Sequence, residues 1–246
     1  MKEDRKVLVQ LTNGFGNNLF QYVAAQNLSL FHGASVYARA PYDNYYGVSC
    51  LKRLGVNFDP VTLANNAHYV TDLNYVRSFT KSLNDCDFIV SGYFEDYRYY
   101  YNMREKIKTW FPKITERKDN DLVIHIRACD RLFYKNEFYV KPKVDDYLRA
   151  IDRFQFDKIH IVTGMPKWDY VTEEELSNMK FHLNVPDTDR VPIKESVKYF
   201  NSLVEGMSKY DPIIQKRTVG EDFDFIRSFK NILFEHGTLS WWAAFL

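Results

Sequence analysis

The run Leu122-Val-Ile-His-Ile-Arg-Ala-Cys-Asp-Arg131 limits most strongly what this chain can fold into. Apolar β-formers fill Leu122 to Ile126, between a polar stretch at 118–121 read as a turn and the charged residues that follow, so a short buried strand is expected there. Arg127 then stands near the carboxyl end of that strand. In an open α/β sheet this is the edge where ligands collect, and a guanidinium there can fork onto two phosphate oxygens. The plainer reading pairs the same polar residues with the next loop. The residues by themselves leave both open.

Other segments repeat the strand-then-helix theme. Residues 6–12 form an apolar, β-branched strand. Gly14 and Gly16 turn it sharply into a helix in which Phe20, Val23, Ala24, Leu28 and Phe31 share a face, with Asn17 able to cap it and Gly33 to close it. The glycines let backbone amides approach a ligand at a helix N-terminus, but Leu19 occupies the third glycine position of the dinucleotide fingerprint, which excludes that fingerprint. Residues 34–38 and 88–91 read as strands. The second leads into Gly92-Tyr-Phe-Glu95 and a helix over 96–111, and helical spacing assigns Tyr93, Tyr97, Tyr100 and Tyr101 to the core in preference to a sugar cleft.

A lobe boundary is placed in the charged, proline-containing stretch 112–121, giving lobes 1–117 and 118–246. In the second lobe the pattern predicts a helix over 144–154, a strand over 158–163, a helix capped by Thr172 and strand-like residues 181–185. A helix over 221–229, a strand over 231–235 and a helix from 237 complete it. Asp145 and Asp146 diverge around their helix and read as solvated surface. His160 alternates with apolar neighbours and reads as a satisfied structural histidine. Thr238 and Ser240 stand at a strand-to-helix turn, where hydroxyls and amides hold a phosphate or simply cap the helix. Residues 48–87 and 186–218 carry no clear pattern.

Composition narrows the function classes. A chain of 246 residues, 46% hydrophobic and 26% charged, buries a proper core as one large domain or two lobes. Its net charge of +1 argues against a nucleic-acid partner held by a broad basic face, while a single phosphate-bearing ligand is compatible with it. Aromatic residues reach 17%, a loading that serves cores and also sugar stacking. Cys50, Cys86 and Cys129 are too few and too scattered for a zinc site or a disulfide framework, and reduced thiols in a cytosol fit best. The charged start at Met1–Lys6 runs straight into a strand, and no apolar run approaches membrane-spanning length, so a soluble protein of a bacterial or virus-infected cytoplasm is expected.

Four motifs follow one another in order: Gly14-Phe-Gly-Asn-Asn-Leu-Phe-Gln-Tyr22, Gly92-Tyr-Phe-Glu95, His125-Ile-Arg-Ala-Cys-Asp130 and His236-Gly-Thr-Leu-Ser-Trp-Trp-Ala-Ala244. The ordered set resembles glycosyltransferase family 11, the α-1,2-fucosyltransferases, and Asp222 matches a family aspartate ahead of the last motif. The resemblance implies an α/β, GT-B-like fold of two facing Rossmann-type lobes, acceptor-side first and nucleotide-sugar-binding second. It implies GDP-fucose as donor, a glycan acceptor, no metal or further cofactor, and inverting transfer of L-fucose, with the 2-hydroxyl of galactose as the implied target.

Without a divalent ion, protein cations and amides must stabilise the leaving diphosphate. The resemblance gives that task to Arg127. It assigns His125, Asp222, Thr238 and Ser240 to donor binding, with Gly14, Gly16, Asn17 and Asn18 approaching from the other lobe. Asp130 and Glu95 are the candidate bases for the acceptor hydroxyl. The chain departs from the family at Asn18 and Glu95, each replacing glutamine, at Ala128 in place of a second arginine, and at His236-Gly237 in place of an Asn-Ser pair. Two other readings follow from these departures: a different nucleotide-linked deoxysugar as donor, or a non-catalytic glycan- or nucleotide-binding protein.

Overall fold

The computed structural model describes residues 5–12, 14–42, 45, 47–83, 85–127, 141–163, 193–215 and 217–246, the side chains of 193–197 excepted. Ala128, Cys129, Asp130, Arg131, the helix expected at Thr172 and the strand expected at 181–185 lie outside the described residues. The chain divides into two units, Met1–Lys113 with Phe245–Leu246, and Ile114–Ala244. Each unit is mixed α/β and carries one four-stranded parallel sheet.

In the first unit β1 (Lys6–Gln10), β2 (Ser35–Arg39), β3 (His68–Val70) and β4 (Phe88–Val90) lie in the order β2-β1-β4-β3. Val7, Leu8 and Val9 are all buried, as a central parallel strand covered on both faces requires. Helix α1 (Phe15–His32) connects β1 to β2 and buries Leu19, Val23, Ala24, Ala25 and Leu28 completely. It starts at Phe15 instead of after Asn17. Gly14 takes the N-cap position at φ 97°, a left-handed backbone that a Cβ would strain, and no side chain caps the helix. Asn17 is thus a first-turn residue and not the cap. Gly33 does close the helix, its N–H donating to the Ser29 carbonyl. Phe31 is 48% exposed and lies edge-on to Phe79 at 5.6 Å, so it is not part of the inward face.

The unpatterned stretch after β2 holds a short helix, α2 (Gly47–Arg53), and the edge strand β3. No single helix fills 96–111. The Asp96 carboxylate accepts from the Arg98 N–H, and the chain breaks into two 3₁₀ turns, Tyr97–Tyr99 and Tyr101–Met103, before α3 (Arg104–Lys108). Short polar side chains that satisfy the backbone locally compete with helix propagation. Of the four tyrosines assigned to the core only Tyr100 is buried, whereas Tyr93, Tyr97 and Tyr101 are exposed.

The second unit orders its strands β7-β6-β5-β8: β5 (Lys118–Ile126), β6 (Ile159–Thr163), β7 (Ile213–Ile214) and β8 (Phe229–Phe234). Residues 118–121 are strand and not turn. Lys118 donates its N–H to Ser228 O at 2.8 Å and pairs with Phe229, and a register shift before Leu122 absorbs the irregularity. The remaining described α-helices are α4 (Val144–Ile151), α5 (Ile193–Gly206), α6 (Val219–Arg227) and α7 (Thr238–Phe245).

Leu122, Ile124 and Ile126 of β5, with Ile159 and Ile161, pack on Tyr147 and Ile151 of α4 and Phe200, Leu203 and Met207 near α5. Each such aliphatic side chain contributes about 1.5–3 kcal/mol on burial. The alternate residues Val123, His125 and His160 belong to the other face. There the His160 ring lies edge-on to Phe225 and Phe229, at 5.6 and 5.2 Å. Gln215 donates to its Nδ1 at 3.0 Å, which leaves Nε2–H to donate to Asp121 at 2.9 Å. His160 is a satisfied structural histidine. Among the described residues no helix is long and apolar enough to cross a membrane.

Candidate functional site

Both sheets reverse their strand order at one place. In the first, β2 lies to one side of β1, and β4 with β3 to the other, so the reversal falls between β1 and β4. In the second, β6 and β7 run outward from one side of β5 while β8 lies on the other. Ligands of open α/β sheets bind outside the carboxyl ends of the strands at such reversals, because connections depart to opposite faces and leave a crevice. The four sequence motifs emerge at these two places: the first two after β1 and β4, the last two after β5 and β8.

In the first unit a buried polar network ties the first motif to the second. Gln21 donates to the Gly92 carbonyl at 2.7 Å, and its Oε1 accepts from the Thr12 N–H and the Asn18 amide, each at 3.1 Å. Asn18 also donates to Thr12 O at 2.7 Å and accepts from the Tyr45 hydroxyl at 2.6 Å. Asn18 is fully buried, so its amide shapes the turn from within. Gly16 is buried in the first turn of α1, and Asn17 beside it is half-buried.

The second motif forms a strained turn held by Asp72. Its carboxylate accepts the Tyr93 and Phe94 N–H groups at 2.9 and 2.6 Å, while Phe94, buried, adopts φ 55°. That left-handed conformation costs about 1–2 kcal/mol in a residue with a Cβ, and the two charge-assisted bonds offset it. The Tyr100 hydroxyl donates to Phe94 O at 2.6 Å. A Cβ on Gly92 would fall 2.3 Å from Asp72 Oδ2, so only glycine admits the carboxylate. The outcome is an exposed Glu95 beside an exposed Tyr93 on a rigid turn. Replacing Gln21 with alanine removes three bonds together: those of the Thr12 N–H and of Gly92 O, and one of the two that the Asn18 amide donates. A loss of about 3 kcal/mol is expected by urea unfolding, at roughly 1 kcal/mol or more for each buried partner. A change below measurement error would show that the network is not coupled to folding.

In the second unit the third and fourth motifs meet. Arg127 follows the last residue of β5, half-buried, and its Cδ and Nη1 lie 3.6 and 3.7 Å from the point where Gly237 would carry a Cβ. Gly237 immediately precedes α7, whose first residue is Thr238. The guanidinium therefore lies against the N-terminus of a helix at the carboxyl edge of the sheet, where first-turn amides and a cation favour an anion together. Ser240 is buried and donates to Gly237 O at 3.3 Å, closing the turn. Glu235, which sequence reading did not single out, lies in the same cluster: its carboxylate accepts from the Tyr147 hydroxyl and from the Arg127 main-chain N–H.

Compared with models of known families, with characterised proteins and with solved structures, the chain matches none. His125 is buried in β5, and burial first, then the Arg127 cation, depresses its pKa from 6.5 to about 4. Its imidazole is neutral at physiological pH, so the charge offered to an anion comes from Arg127.

Asp222 sits in the first turn of α6, which leaves β7 at the same carboxyl edge. It is only 6% exposed, and its Oδ1 has no hydrogen-bond partner. Burial raises its pKa from 3.8 to about 7, with Arg217 acting in the opposite direction and Glu221 adding to the rise. A helix N-terminus stabilises a carboxylate by only about 0.3–1 kcal/mol, too little to outweigh a desolvation of this size. Among the described residues no group of three or more His, Cys, Asp or Glu side chains is placed to hold a metal ion. Asp130 lies outside the described residues, leaving Glu95 as the described candidate base.

Proposed function

We propose that the chain is an inverting, metal-independent glycosyltransferase that moves L-fucose from GDP-fucose to a glycan hydroxyl, with the 2-hydroxyl of galactose as the target. On this reading the two units are the lobes of a GT-B-type enzyme, and the second binds the donor. One observation carries it. The motifs that resemble the fucosyltransferase family gather two by two at the strand-order reversals of two parallel sheets, with Arg127 against the start of α7.

The acceptor oxygen attacks the anomeric carbon from the side opposite the nucleotide, the bond from that carbon to the β-phosphate oxygen breaks, and the leaving GDP gains negative charge. Arg127 and the α7 amides meet that charge as it develops, which is where electrostatic stabilisation lowers a barrier most. Thr238 lies in the same first turn. The acceptor proton passes to a carboxylate, the role that the resemblance offers to Asp130 or Glu95.

The test is to incubate purified protein with a panel of nucleotide sugars and follow nucleotide release with and without glycans. Release of GDP from GDP-fucose, stimulated by a galactoside, is expected. Turnover confined to another nucleotide-linked deoxysugar would move the donor assignment, and absence of turnover with every donor would sink the enzymatic reading.

A further inference from the structure

Glu235 is an unexpected neighbour for an anion site. It follows the last residue of β8, and the register His125↔Phe234 brings it level with the turn out of β5. Its carboxylate accepts from the Tyr147 hydroxyl on α4 and from the main-chain N–H of Arg127. Burial pushes the Glu235 pKa up, and the bonds from Tyr147 and Arg127 pull against that rise. Burial and the neighbouring Glu235 raise the Tyr147 hydroxyl as well, so it stays a protonated donor. A half-buried carboxylate next to a phosphate site weakens anion binding by its charge alone. Its geometry indicates what offsets that cost. The bond to the Arg127 N–H pins the backbone where the strand ends, one residue before the chain leaves the sheet, and the Arg127 side chain from that same residue reaches Gly237 at the start of α7.

We infer that Glu235, anchored by Tyr147, is a positioning residue that fixes Arg127 against the N-terminus of α7 so that its guanidinium meets the diphosphate of the nucleotide. The inference rests on the proposed donor site and adds to it a carboxylate that acts through Arg127 and touches neither donor nor acceptor. Holding a charged group in place matters because a displacement of about 1 Å costs on the order of 10²-fold in rate.

GDP is the probe, with binding measured by calorimetry and turnover with GDP-fucose followed in parallel. The wild type binds GDP. Glu235→Ala weakens binding and lowers kcat by about 10–100-fold, as loss of groups supporting a ligand-contacting residue does elsewhere. Glu235→Gln keeps an acceptor oxygen and recovers most of the loss. Tyr147→Phe, which leaves the carboxylate on the Arg127 N–H, gives a smaller drop and serves as the milder variant if Glu235→Ala folds poorly. In an Arg127→Ala background Glu235→Ala adds nothing further, because the group it positions is gone.

If Glu235 contributed only its charge, both Glu235 variants would tighten GDP binding, and that result overturns the inference. So does an equal cost of Glu235→Ala with and without Arg127. A wild type that does not bind GDP overturns the functional reading and this inference together, whereas normal wild-type binding with an unaffected Glu235→Ala overturns the inference alone.

Discussion

Replacing Arg127 with alanine is expected to lower turnover of GDP-fucose by about 10²–10³-fold, the usual cost of removing one preorganised group that stabilises developing negative charge. The fold should survive. The strand before Arg127 is held by Leu122, Ile124 and Ile126 in the core, and the bond from residue 127 to Glu235 uses the main-chain N–H, which alanine keeps. His125 cannot take over the charge, because burial keeps it neutral with a pKa of about 4.

Arg127→Lys retains the charge but not the planar fork, so only partial recovery is expected. Steady-state kinetics with unfolding curves for each variant separate the two effects. Wild-type turnover in Arg127→Ala would remove Arg127 from the chemistry.

Asp222→Asn is expected to be more stable than the wild type at pH 8 by about 2–4 kcal/mol, with the advantage vanishing near pH 4. The Asp222 pKa is raised from 3.8 to about 7, so between these values the folded protein keeps a proton that the unfolded chain releases. Stability from this residue is full below the unfolded pKa and is lost as pH rises through the folded one. His125 behaves oppositely. Its pKa falls from 6.5 to about 4, so the unfolded imidazole takes up a proton the folded one refuses, and stability is lost as pH falls across that interval.

The two slopes oppose each other over much of the acidic range and flatten the wild-type profile. In Asp222→Asn the histidine slope stands without that opposition, and stability should rise more steeply with pH between 4 and 6.5 than in the wild type. Urea titrations of both proteins across pH 4–8 measure this, and a constant gap between them would refute it.

Much of the framework was legible because short-range rules govern it. Apolar runs at Lys6–Gln10, Phe88–Val90 and Leu122–Ile126 are strands since nothing else buries them while satisfying their backbone. The helical period after Gly14 and the helix around Phe225 were readable for the same reason, although their starts shifted to Phe15 and Val219. The tyrosine-rich stretch after Glu95 has helical spacing but forms two 3₁₀ turns and a short helix. The Asp96 cap and the bond from Tyr100 to Phe94 O redirect that backbone locally.

The sequence by itself determined the strand and helix alphabet, the place of Arg127 at a strand's carboxyl end, and the order of the motifs. Only the tertiary structure decided which motifs meet, since strand order depends on pairings between residues far apart in the chain. It put Gln21 on Gly92, Arg127 beside Gly237, and Glu235 under the Arg127 backbone. It also decided charge states. The neutrality of His125 and the raised pKa of Asp222 arise from burial by distant segments, and desolvation is a property of the packed fold that no local pattern encodes.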